Sequence, residues 1–167
     1  MLELYHGPTL AFKDIALQFL GKLFDLFLEG TKKKLTIIGA TSGDTGSAAI
    51  EAVKNNKNVD IFILHPFKRV SEFQRRQMTT VLSKNVHNIA INGTFDDCQN
   101  IIKKLFIDKK LKSELSLGSI NSINWTRIMA QITYYIYAYS KVKESTKRKN
   151  ISFSIPTGNF GDAYAGY

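Results

Sequence analysis

L-T-I-I-G-A-T-S-G-D-T-G-S, residues 35–47, decides the fold. L-T-I-I-G, 35–39, reads as a buried strand, and residues 45–55 carry the pattern of a helix. Between them lies a glycine-rich turn, G-A-T-S-G-D-T-G-S, residues 39–47. Glycines let the backbone come close to a ligand. The start of a helix offers unpaired N–H groups and partial positive charge, which suit an anion. Thr41, Ser42, Thr45 and Ser47 add hydroxyls. The spacing is not G-x-G-x-x-G, and no lysine follows the glycines, so neither the dinucleotide fingerprint nor the Walker A loop applies. On this stretch alone, a ligand turn and a plain strand-to-helix turn with Ser or Asp as N-cap stand about even.

The same alternation extends outward. Residues 59–64, 86–91 and 151–155 read as strands. Residues 71–82, opened by Ser71, read as a helix, and so do residues 95–112, capped by Thr94 with Asp97 three positions on. A longer helix is expected over 123–142. Upstream, residues 14–29 carry apolar residues at helical spacing up to Gly30. K-E-S-T-K-R-K-N, 143–150, reads as an exposed loop. Strands alternating with helices of this length imply an α/β fold, a parallel sheet with helices on both faces and right-handed crossovers. Such sheets bind ligands at the carboxyl ends of their strands.

A second glycine-rich turn, P-T-G-N-F-G-D, 156–162, follows the last expected strand and precedes a helical pattern. Two anion-suited turns suggest a ligand with a carboxylate at one end and a phosphate at the other. H-G-P-T-L-A-F-K-D, 6–14, supplies Lys13. Alone, Lys13 reads as a surface lysine. Beside the two turns it becomes a candidate to form a Schiff base with a carbonyl. Pyridoxal phosphate has both the aldehyde and the phosphate.

Composition narrows the class. The chain has 167 residues, 44% hydrophobic and 22% charged, which suits one soluble globular domain. No apolar run approaches the roughly 18 residues that span a bilayer. No basic stretch followed by an apolar one marks a signal peptide. The one cysteine, Cys98, forbids an internal disulfide and fits a reducing, cytoplasmic setting. The net charge of +9 comes mainly from scattered lysines at helix ends and turns, so it reads as a solvated surface. Base readout favours arginine with interleaved aromatics, so neither nucleic acid nor a membrane is expected as partner. No metal is expected.

L-E-L-Y-H-G-P-T-L-A-F-K-D, G-A-T-S-G-D-T-G-S-A-A, N-S-I-N-W-T-R-I-M-A-Q-I-T-Y-Y and P-T-G-N-F-G-D together resemble the threonine synthases in order and spacing. The resemblance covers essentially all 167 residues. It implies a fold-type II pyridoxal phosphate enzyme, a carbon–oxygen lyase acting on phosphates. The implied reaction converts O-phospho-L-homoserine and water to L-threonine and phosphate, the last step of threonine biosynthesis. Lys13 would hold the cofactor and shuttle protons. Ser42, Asp44 and Thr45 would meet the cofactor, while Thr41, Ser42 and Gly43 meet the substrate. Gly158, Asn159, Phe160, Gly161 and Asp162 match the loop for the cofactor phosphate. Asn121 and Asn124, in N-S-I-N, are expected near the substrate, or else as a cap for the helix that follows. Arg127 and Lys68 are weaker candidates for the substrate phosphate. Family members are considerably longer, so residues 1–167 are expected to be part of a longer enzyme's catalytic region. A different fold-type II lyase, such as a threonine dehydratase, and a non-catalytic remnant stand as alternatives.

Overall fold

The computed structural model describes residues 1–121, 124–146 and 150–167. The chain opens on helix α1, Lys13–Leu28, and then alternates: β1 Leu35–Ala40, α2 Asp44–Val53, β2 Val59–Pro66, α3 Glu72–Thr79, β3 Val86–Ile91. It continues through α4 Phe95–Ile107, α5 Lys109–Glu114, β4 Leu117–Gly118, α6 Trp125–Thr146 and α7 Gly161–Gly166. The four strands form one parallel sheet in the order β3-β2-β1-β4.

Side chains alternate across a strand, so a sheet buried on both faces divides its strands by parity. Ile37, Val59, Ile61 and Ile63 face one core with Leu17 and Leu20 of α1, Ile50 and Val53 of α2, and Met78 of α3. Ile38 and Leu64 face the other, with Cys98 and Ile102 of α4. The register agrees, since Ile37 lies opposite Ile61 and Ile38 opposite Phe62. Gly21 lets α1 lie close on α2, because a Cβ there would collide with the Ala52 carbonyl. Helices on both faces of a parallel sheet are what the sequence pattern implies. No helix among the described residues is long and apolar enough to cross a membrane.

Three expectations, and one detail of the plain-turn alternative at 39–47, need correction. The single helix over 95–112 is two. Asp108 ends α4 and caps α5, its carboxylate accepting the N–H groups of Lys110 and Leu111 at 2.9 and 3.0 Å. An aspartate that offers the next turn its own acceptor competes with helix continuation. Residues 151–155 form no strand. A strand exists through its ladder, and the edge of β1 away from β2 pairs with β4, at Thr36–Leu117 and Ile37–Gly118. The 151–155 segment lies instead near α6, with the Phe153 ring edge-on to Tyr135 at 5.1 Å. Residues 143–146, expected in a loop, continue α6; the Ser145 and Thr146 hydroxyls donate back to the Val142 carbonyl at 3.1 and 2.8 Å. The rest of that loop, 147–149, lies outside the described residues. Finally, α2 is capped by Gly43, not by Ser or Asp, with no side-chain bond at its N-cap. The expected cap on α4 is present in full: Thr94 and Asp97 form a capping box.

Candidate active site

A cleft of about 770 Å³ opens where β1 and β4 end and the 156–162 turn passes over them. Among the expected residues, Lys13, Thr41, Ser42, Asp44, Thr45, Asn121, Gly158, Asn159, Gly161 and Asp162 line it. Gly43, Asn124 and Phe160 do not.

Lys13 is the first residue of α1, directly after the N-cap Phe12. Its side chain is only 15% exposed, and Nζ lies 3.4 Å from Asp44 Oδ2 and 4.4 Å from the Phe12 ring centroid. Three contacts place this turn. The buried Asp14 carboxylate accepts from Thr9. Tyr134 Oη, from α6, donates to the Phe12 carbonyl at 2.6 Å. Gln77 Nε2, from α3, donates to the Thr9 carbonyl at 3.0 Å. Burial pushes the Tyr134 hydroxyl up to about 12.

The β1 turn is tied by Thr41. Its hydroxyl accepts the N–H groups of Gly43 and Gly46 at 3.0 and 2.9 Å and donates to the Gly43 carbonyl at 3.0 Å. With the hydroxyl so engaged, Thr41 holds the loop's shape, while Ser42 stands exposed beside it. Asp44 opens α2, and its Oδ1 accepts from Gln74 Nε2 of α3.

In N-S-I-N, Asn121 faces the cleft while Asn124 caps α6: Oδ1 accepts the Arg127 N–H at 3.3 Å, and Nδ2 donates to the Ser119 carbonyl at 3.0 Å. Ser122 and Ile123 lie outside the described residues. Arg127 lines the cleft, 4% exposed, with one guanidinium bond to the Ile120 carbonyl at 3.2 Å. Its Nε finds no partner among the described residues, and burial lowers its pKa. One turn on, Gln131 is 2% exposed with Oε1 likewise unpartnered. Lys68 stands apart, in a shallow pocket with His65, Phe67 and Arg75. At the second turn, a Cβ on Gly158 would meet nothing within 4 Å, so that backbone is open to the cleft. Tyr135 Oη donates to the Asp162 carbonyl at 2.6 Å and ties the turn to α6. No cluster of three metal-binding side chains occurs among the described residues.

Sequence reasoning missed Gln74, Asp14, Tyr134 and Gln131. Gln131 and Tyr134 carried a local signal, four and seven residues after Arg127 on one helical face.

The chain is 58% identical to threonine synthase of Pseudomonas aeruginosa over 167 residues, all of this chain and 35% of that protein. Over its whole length it is similar to threonine synthases. The Saccharomyces cerevisiae threonine synthase is 51% identical over 175 residues, covering all of this chain and 34% of its own length. The threonine synthase of Brucella melitensis, solved with PLP bound, superposes with a TM-score of 0.88 at 53% identity, over all of this chain and 36% of that one. The chain thus spans about a third of the length of the curated threonine synthases it matches. No family model matches it.

Proposed function

We propose that the cleft is the pyridoxal phosphate site of a threonine synthase, which converts O-phospho-L-homoserine and water to L-threonine and phosphate. The observation that carries this reading is Lys13: a sheltered primary amine between two glycine-rich turns, in a cleft wide enough for a cofactor and a small substrate. The residues fit the cofactor. Lys13 supplies the amine, and the open backbone at Gly158 begins a turn for the phosphate. Ser42 and Thr45 offer hydroxyls at the opposite turn.

Bound there, pyridoxal phosphate supplies an electron sink that stabilises negative charge on the substrate carbon beside its amine. Lys13 would hold the group through Nζ, and the same amine would carry protons to and from the substrate. Asp44 fixes where that amine stands. The Arg127 guanidinium, which lines the cleft, offers a cationic donor to the departing phosphate, and Asn121 adds a neutral polar group nearby. A buried guanidinium without a carboxylate is costly unless an anion completes it. Gly158 to Asp162 would cradle the cofactor phosphate, with Phe160 turning the backbone through a left-handed conformation (φ 55°). The scattered lysines solvate the surface, so the partner is a small molecule rather than nucleic acid.

The test is reductive trapping. The full chain is saturated with pyridoxal phosphate, reduced with borohydride, digested and mapped. The expected label lies on Lys13, and its absence there overturns the reading. In the complete enzyme, phosphate released from phosphohomoserine, and not ammonia from threonine, supports the reaction proposed.

A further inference from the structure

Helix α3 carries no residue expected from the sequence to take part in the chemistry, yet it braces the charged pair in the cleft. Gln74 Nε2 donates to Asp44 Oδ1, and the other oxygen of that carboxylate, Oδ2, stands 3.4 Å from Lys13 Nζ. Gln74 is fixed in turn. Ser71 Oγ donates to its Oε1 at 2.8 Å, and the Gln74 N–H donates to Ser71 Oγ at 3.3 Å. With Oε1 occupied, only the amide NH₂ can face the carboxylate; the flipped amide would set oxygen against oxygen. Gly43 makes the room, since a Cβ there would collide with the Gln74 amide.

The brace matters because Asp44 is 47% exposed. A half-exposed ion pair gains little by itself, and its side chains lose entropy in holding one geometry. An amide donor to a carboxylate is a charge-assisted bond and holds orientation better. The other charged groups at the cleft do not substitute for Asp44. Lys103 and Arg127 carry the wrong sign, and the Asp14 carboxylate is turned to Thr9 and Ala11. Asp162 accepts the Ala163 N–H through Oδ1. Among the described residues, Asp44 alone forms an ion pair with Lys13.

We propose that Gln74 is a positioning residue, which fixes the Asp44 carboxylate so that Oδ2 is aimed at the Lys13 amine. Its value to catalysis rests on the proposed role of Lys13; the positioning itself does not.

The test therefore uses the full chain without cofactor. Acetylation of lysines with limiting acetic anhydride is followed by mass spectrometry at one neutral pH, with Lys22, 86% exposed, as internal reference. Gln74→Met keeps the length and removes the donor. Gln74→Glu keeps the shape and sets a negative charge against Asp44. In both, the carboxylate swings to solvent and uncovers the amine. Lys13 should then acetylate faster relative to Lys22 by about three- to tenfold, the scale of the net worth of one ordinary hydrogen bond, as suits a half-exposed carboxylate. A wild-type ratio in folded Gln74→Met overturns the proposal, whatever Gln74→Glu does. Should Gln74→Met fail to fold, the Gln74→Glu ratio decides in the same way. A wild-type chain that takes no borohydride label at Lys13 but responds to the Gln74 variants removes the cofactor reading and leaves the positioning intact.

Discussion

Asp14 Oδ1 accepts the Thr9 hydroxyl at 2.5 Å, and Oδ2 accepts the Thr9 backbone N–H at 3.0 Å. Asp14 is 1% exposed, and the Ala11 N–H adds a longer bond to Oδ2 at 3.4 Å. The H-G-P-T-L-A-F segment is thus wrapped on a buried carboxylate immediately after Lys13. A buried charge is tolerable when its lone pairs are met, and here backbone and hydroxyl donors meet them.

Asp14→Ala should therefore do more than remove a helix-start charge. It leaves the Thr9 donors unsatisfied in the interior, at a cost of about 3 kcal/mol. Asp14→Asn keeps one acceptor oxygen and should cost roughly half as much. Urea unfolding midpoints measure both. Reductive trapping of pyridoxal phosphate at Lys13 should fall in the same order, because the loop that places the lysine loosens. Equal midpoints for Asp14→Ala and wild type would remove this account.

Gly43 joins two constraints: φ of 157° and the close approach of the Gln74 amide. Gly43→Ala should cost about 1–3 kcal/mol, the range for backbone held in a sparsely populated region. It should also raise Lys13 acetylation, since Gln74 must move away from Asp44. A shift in thermal midpoint with no change at Lys13 would separate backbone strain from the brace.

The legible parts of this molecule are the ones whose causes are local. V-H-N-I-A-I is a strand over its expected span, 86–91. Thr94 and Asp97 sit at capping-box spacing and form one. The turn at 39–47 does lead from strand into helix, and with Lys13 and the 156–162 turn it lines one cleft. Asp108 misled because its alternative, a new cap, depends on which of two local hydrogen-bond patterns wins. Residues 151–155 look like a strand, but pairing is decided by neighbours far along the chain. Gln74 was invisible for the same reason: its partner Asp44 lies 30 residues away. Nothing in a run of E-F-Q-R-R-Q separates a bracing glutamine from a solvated one.

Cys98 offers a direct reading of the second core. It is fully buried between α4 and the sheet, and burial raises its thiol pKa. Thiolate is the reactive form, so a disulfide reagent should modify the native chain only through opening of α4. Modification should be slow in buffer and become fast across the unfolding transition in urea. Fast labelling of the native chain would mean that α4 does not stay closed on β1 and β2.

Tyr134 gives the site a pH dependence with a definite sign. Its ordinary value near 10 is pushed up to about 12, chiefly by burial. The folded state therefore holds the proton more tightly than the unfolded chain. The stability this contributes is complete below pH 10 and is lost as pH rises from 10 to about 12. The structure supplies the reason: only the protonated hydroxyl can donate to the Phe12 carbonyl, one residue before Lys13. Tyr134→Phe should cost about 1 kcal/mol at neutral pH, the net worth of one hydrogen bond. It should also flatten the fall in stability above pH 10. The fall will not vanish, because the Tyr135 hydroxyl is also raised, by burial and then by Asp162. Urea midpoints measured for both chains across the alkaline range decide the matter. An undiminished slope in the phenylalanine variant would assign the alkaline transition to other groups and leave Tyr134 as packing alone.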